Sequence, residues 1–106
     1  MSTNSSAYVA TTHASRYLQQ LCKHWAHSLA VSFDETRGTV TFPRNARGAG
    51  WPGNAILEMQ AGAETLDCRL ATSDPGQLEA LKAAVARHLD RFAFREAPLT
   101  FDWHDQ

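Results

Sequence analysis

Between Leu21 and Leu29 the chain reads LCKHWAHSL, which sets one thiol and two imidazoles within six residues. Cysteine and histidine are the common ligands of zinc, so the first question is whether Cys22, His24 and His27 share one ion. Helical phase argues that they do not. At about 100° per residue, His24 and His27 fall roughly 140–160° around the helix from Cys22. One tetrahedral ion cannot be reached from both sides of a helix. Cys22 therefore reads as a small core residue. Cys68, also inward by alternation, is a candidate neighbour, with a buried reduced pair, a disulfide or a soft-metal site as the readings of that pair. His24 and His27, three apart, share a face and can supply two metal ligands, or stand as solvated surface histidines. Further ligands would have to come from His13, His88, His104 or a carboxylate.

Two other stretches carry chemistry. RHLDRFAFRE sets Arg87, Arg91 and Arg95 around a helix end, with His88 at the edge of the apolar stripe and Arg87 and Arg91 turned outward. Cations there complement the helix dipole. Alternatively, Arg91 and Arg95 grip a carboxylate or phosphate beside His88. His88 itself is either bonded to a backbone carbonyl or carboxylate, or works as a ligand or acid–base group. PRNARGAGWPG, residues 43–53, offers Arg44, Arg47, three glycines and Trp51. Such a loop can clasp an anionic or planar ligand, or be a plain flexible connection. It lacks the Gly-Lys-Ser/Thr ending of a phosphate-binding loop. The expected ligand-binding residues are thus His88, Arg91, Arg95, Arg47 and Trp51, and the expected metal ligands are His24 and His27.

These groups must be held by elements the pattern makes visible. SAYVATT (6–12) alternates as a short strand. From Ser15 to Ser28, Leu18, Leu21, Cys22, Trp25 and Leu29 form one helical stripe, with Thr12 as the expected N-cap. AVSF, DETRG and TVTF read as a hairpin with Val31, Phe33, Val40 and Phe42 inward. NAILEMQ and ETLDCRLAT alternate again, with Leu57, Met59, Leu66, Cys68 and Leu70 on one side. Asp74-Pro75-Gly76-Gln77 is a helix start: Asp as N-cap, Pro first, Gln at the third position to reach back. The stripe Leu78, Leu81, Val85, Leu89 and Phe92 follows. PLTFDW reads as a last strand with Leu99, Phe101 and Trp103 inward. The order β-α-β-β-β-β-α-β, with short alternating strands and tight turns, predicts a two-layer α+β fold: a mostly antiparallel sheet with two helices on one face. YVATTHASRYLQQLCKH and RLATSDPGQLEALKAAVARH echo one another, which fits either a duplicated strand–helix unit or two helices packing alike.

The chain has 106 residues, enough for one core. Residues 1–5 are expected to be a disordered tail and residues 6–104 a single domain. A net charge of -1 gives no general pull toward nucleic acid. No run approaches ~18 apolar residues, so no membrane span is expected. The N-terminus has no basic then apolar leader. With two cysteines only, cytoplasmic location and reduced thiols are the simplest expectation. Outward Glu58, Asp67, Arg69 and Asp102 suit a solvated sheet face, and Thr39, Thr41, Ile56, Thr65 and Thr100 make that face fit for packing on a twin, so a homodimer stays open.

SRYLQQLCKHWAH, FDETRGTVTF and RHLDRFAFREAPLTFDW, in this order, resemble the bacterial domain-of-unknown-function family 2218, over roughly Tyr8 to Trp103. The 43–53 loop is longer than the family pattern. The resemblance brings no catalytic residues, and any cofactor stays unknown. It implies a link to flavin-dependent siderophore-interacting proteins, hence to iron. No G-x-S-x-G, H-E-x-x-H, Walker or dinucleotide motif occurs, which points away from familiar enzymes. The expectation is a non-enzymatic binding module for an anionic ligand or metal complex; the alternative is a structural or protein-interaction module, such as a homodimer, without a small-molecule ligand.

Overall fold

Alternation of apolar and polar residues builds one sheet, and two striped helices cover one side of it. The computed structural model describes residues 2–106, the side chain of Arg47 excepted. Strand β1 is Asn4–Ala10, helix α1 Ala14–Trp25, β2 Ala30–Phe33, β3 Arg37–Phe42, β4 Ala55–Ala61, β5 Thr65–Ala71, helix α2 Pro75–Phe92 and β6 His104–Asp105. A 3₁₀ turn, Ala46–Gly48, lies between β3 and β4. The six strands run in the order β2-β3-β4-β5-β1-β6, each antiparallel to its neighbours. This is the two-layer α+β arrangement expected from the element order.

Inward positions from both layers meet in one core. Leu18, Leu21, Cys22 and Trp25 of α1 and Leu78, Val85 and Leu89 of α2 are buried against Val9, Val40, Leu57, Leu66, Cys68 and Leu70 of the sheet. Burial of such side chains, about 1.5–3 kcal/mol each, drives the two layers together. Helix α1 packs on Gly38 of β3. A Cβ added there would sit 2.7 Å from the Cys22 sulfur and 3.2 Å from Leu18 Cδ2. Cys22 is thus wall, in contact with backbone. Both cysteines are free and buried.

Several boundaries differ from the sequence reading. Strand β1 starts at Asn4, so residues 4 and 5 belong to the sheet and not to a tail; Met1 lies outside the described residues. Both neighbours capture the chain there: the Thr72 N–H donates to Thr3 O at 3.0 Å and the Gln106 N–H to Asn4 O at 2.8 Å. His13, and not Thr12, is the N-cap position of α1. It is the buried Thr11 hydroxyl that accepts the His13 N–H, at 3.1 Å. Helix α1 ends at Trp25, whose carbonyl accepts from both Ser28 and Leu29. Phe33 lies on the covered side, opposite Gly38, yet is 36% exposed because β2 is an edge strand.

The largest difference is at the C-terminus. Residues 98–103 form no strand; pairing with β1 begins only at His104 and Asp105. The Leu99 N–H is taken by Asp90 Oδ1 of α2 at 2.8 Å, so this segment is tied to a helix and not to the sheet. Leu99 is still buried, and Phe101 and Trp103 stack at 5.9 Å against the core. The internal echo extends no further than its strand–helix units. Strands β1 and β5, which precede the two helices, are antiparallel neighbours, but β2 and β6, which follow them, lie at opposite edges of the sheet. Among the described residues no helix is long and apolar enough to cross a membrane.

Candidate functional site

The second helix begins as its residues require, and that start places a loop. Asp74 Oδ1 accepts the Gly76 N–H at 2.7 Å, and Pro75 occupies the first turn, where its missing N–H costs nothing. Gln77 reaches back, as its position predicts, but one residue further: its Oε1 accepts from the Ser73 N–H at 2.8 Å. Its Nε2 donates to Gly53 O at 3.1 Å, and the Gly53 N–H donates to Ser73 Oγ at 2.9 Å. Gln77 is 1% exposed, so this amide is a buried rivet between α2 and residues 43–53. The loop is also closed on itself: the Trp51 N–H donates to Arg44 O at 3.0 Å, and the Arg44 N–H to Asn54 Oδ1 at 2.9 Å. Gly48 takes the one left-handed backbone position in it, φ 77°, which suits a residue without Cβ. The loop is fastened rather than loose.

Fastening lays Trp51 over the first turn of α2. A Cβ at Gly76 would lie 3.2 Å from the Trp51 ring. Between that indole, the last turn of α1 and the middle of α2 opens a groove of about 520 Å3. Trp25, Phe42 and Leu81 supply its apolar wall, and Ala80 and Ala84 leave the space by being small. Trp25 meets the Phe42 ring edge-on at 5.1 Å. Its polar side chains are His24, His88 and Arg87, with Ser28 and Gln77. The His88 ring lies 5.0 Å from Trp25 and 5.4 Å from His24, and His24 also meets Phe92 at 5.9 Å. His88 Nδ1 stands 2.7 Å from Ala84 O, one turn back. Ala84 O can only accept, so that contact holds the Nδ1 proton and fixes the ring plane.

The sequence-expected residues divide on this groove. His24, His88 and Trp51 line it together. Arg91 and Arg95 do not: Arg91 is exposed on α2, and the Arg95 guanidinium lies over the Phe94 ring at 5.7 Å, past the helix end. The side chain of Arg47 lies outside the described residues. His27 is exposed beyond the end of α1 and shares none of the ring contacts of His24. Among the described residues no group of three or more His, Cys, Asp or Glu stands close enough to hold a metal. Sequence reasoning missed Arg87, which it turned outward. Arg87 is exposed yet forms part of the lining, three residues from Ala84 and seven from Ala80. That small-residue stripe was the available signal.

Charge in the groove has one sign. No carboxylate is among its described lining residues, while Arg87 and two imidazoles are. An anionic group therefore meets a cation and ring donors without a like charge to oppose it. The thiols contribute no chemistry here. Burial pushes Cys22 up to about 11, and burial with the adjacent Asp67 charge pushes Cys68 up to about 12, so neither is a thiolate near neutral pH.

A two-layer α+β domain with one covered and one open sheet face, and a partly apolar, cation-edged groove, is the class this geometry defines. The chain belongs to the family DUF2218, described as uncharacterised protein conserved in bacteria, whose model matches residues 6–104. It is similar to PA4090 from Pseudomonas aeruginosa, known from an NMR structure, at 29% identity and a TM-score of 0.72, over 98% of this chain and 96% of that one. No curated protein matches it.

Proposed function

We propose that this protein is a small-molecule binding domain, and that its ligand is an anion carrying a flat apolar body. The convergence of His24, His88, Arg87 and Trp51 on one groove carries this reading. At about 520 Å3 the groove has the size of ordinary ligand sites, which are mostly apolar with a few convergent polar groups. Trp25, Trp51 and Phe42 would sandwich the body; Arg87 and the imidazoles would hold the charge. Iron chelates built on aromatic rings combine flatness with negative charge, and the family resemblance makes them the first ligands to test. His24 and His88, rather than His24 and His27, are the imidazole pair facing such a ligand. The same reading takes the domain as cytoplasmic, supported by two buried free thiols.

Calorimetry with ferric catecholate and hydroxamate chelates, a flavin nucleotide, divalent metals and simple aromatic carboxylates tests it. Saturable binding by at least one, weakened about ten-fold or more in Arg87→Ala and in His88→Ala, is the expected result. Quenching of tryptophan fluorescence should accompany it, since Trp25 and Trp51 line the groove. No saturable binding across the panel overturns the reading.

A further inference from the structure

The sheet face away from the helices is uncovered, and its side chains form an ordered pattern. Strand register sets them in rows across β3, β4, β5 and β1. One row is Arg37, Gln60, Asp67 and Tyr8; the next is Thr39, Glu58, Arg69 and Ser6; a third is Thr41, Ile56, Ala71 and Asn4. An open cleft of about 530 Å3 runs between the first two. Tyr8 is 57% exposed and Ile56 38%, large apolar surface for a face with nothing on it. Its charges are not spent on one another. Among the described residues the ion pairs join Lys82 to Glu79 and Asp105, and His104 to Asp102. None involves Arg37, Glu58, Asp67 or Arg69. Asp67 Oδ1 is buried without a hydrogen-bond partner, a costly state for a carboxylate oxygen.

We propose that two copies of this chain associate face to face through this surface, about a two-fold axis lying along the strands between β4 and β5. That axis keeps each row at its level and exchanges β4 with β5 and β3 with β1. Glu58 then faces Arg69 of the second copy, and Arg69 faces Glu58, as a two-fold contact requires. Gln60 faces Asp67, an amide against a carboxylate. Arg37 faces Tyr8, a cation over an aromatic ring, and Ile56 faces Ala71. Glu58 and Arg69 meet opposite charges, and no like charges face one another. Tilting the axis by about 15° from the strands gives the ~30° crossing that stacked sheets prefer. A patch of this width and strand length covers roughly 500–700 Å2 per copy, the low end of specific interfaces, so the dimer is a weak one.

The test is sedimentation velocity from about 10 µM to about 1 mM, with amide shifts followed by NMR over the same range. Self-association in the wild type, with shifts on β4, β5 and β1 outward residues, is expected, and added salt should weaken it. E58R alone sets arginine against arginine, and R69E alone glutamate against glutamate, so each should associate at least ten-fold more weakly while keeping its fold. Mixed in equal amounts, the two variants should recover association, because each copy then supplies the charges the other lacks. A wild type that stays monomeric, association mapped to the β2 or β6 edge, or a folded mixture that fails to associate would each overturn the proposal. The groove lies on the other side of the sheet, so failure here leaves the ligand reading standing, and the reverse.

Discussion

Single atoms decide how closely the two layers approach. Gly38 lets the Cys22 sulfur and the Leu18 side chain touch the backbone of β3, where a Cβ would stand at 2.7 Å and 3.2 Å. Gly38→Ala should therefore destabilise the protein by about 1–3 kcal/mol through overpacking, read as a lowered urea midpoint at unchanged slope. Cys22→Ala combined with Gly38→Ala removes the closer clash and should recover part of the loss. A glycine replaced at no cost would mean that α1 sits further from β3 than described. Helical phase made Cys22 legible as wall in the sequence, because its stripe is a local property. Its actual neighbour, a glycine in β3, was not legible, since alternation names a face and not the residue met across the core.

At the scale of elements, the groove exists because residues 43–53 are pinned to the start of α2. The pin is the Gln77 amide, which bonds Ser73 on one side and Gly53 on the other. Gln77→Ala should cost about 1–3 kcal/mol, since the half-buried Ser73 N–H loses its acceptor and the Gly53 carbonyl keeps only the Ser73 hydroxyl as donor. Amide exchange should rise across residues 43–54 more than in the strands, and ligand affinity should fall with it. Gln77→Glu keeps the acceptor, loses the donor to Gly53 and should fall between. Equal exchange in wild type and Gln77→Ala would show that the loop holds without the pin. The helix start at Asp74-Pro75-Gly76-Gln77 was readable from residue types; that Gln77 also catches Gly53 depends on two segments meeting in space.

For the whole molecule, two carboxylates join distant parts of the chain and a third closes a turn. Glu96 accepts from Tyr17 and from Thr11, fastening the segment after α2 to the start of α1. Asp105 accepts from Lys82 at 2.6 Å and from Ser5 at 2.7 Å, fastening β6 to α2 and β1. Asp34 closes the β2–β3 turn by accepting from the Thr36 and Arg37 N–H groups at 2.8 Å. Each is held below its ordinary value: Glu96 first by the Tyr17 hydrogen bond, Asp105 first by Lys82, Asp34 first by the Thr36 N–H. A depressed folded value means that the contribution is present above the unfolded value, near 4, and is lost as pH falls through the folded one. Urea midpoints should thus be steady from about pH 7 to about pH 5 and drop below about pH 4. Glu96→Gln, which keeps the shape and removes the titration, should flatten part of that drop. Midpoints that hold level down to about pH 2 would contradict these assignments.

What the sequence determined by itself is everything that repeats at short range: two striped helices, alternating strands, the Asp74 cap and the inward set from Leu18 to Leu89. Period 3.6 and period 2 are written in neighbours, so burial against some apolar layer follows whatever the partner. The tertiary structure alone decided which side chains share a groove. His24 lies beside His88 rather than His27, and Arg87 rather than Arg91 or Arg95 edges the groove, because those distances depend on where α1 crosses α2. It alone also turned residues 98–103 from a strand into a strap on α2, since a carboxylate on Asp90 competes for the Leu99 N–H that a neighbouring strand would otherwise take. Long-range contacts are chosen by packing and hydrogen-bond competition across the fold, and no local pattern records their outcome.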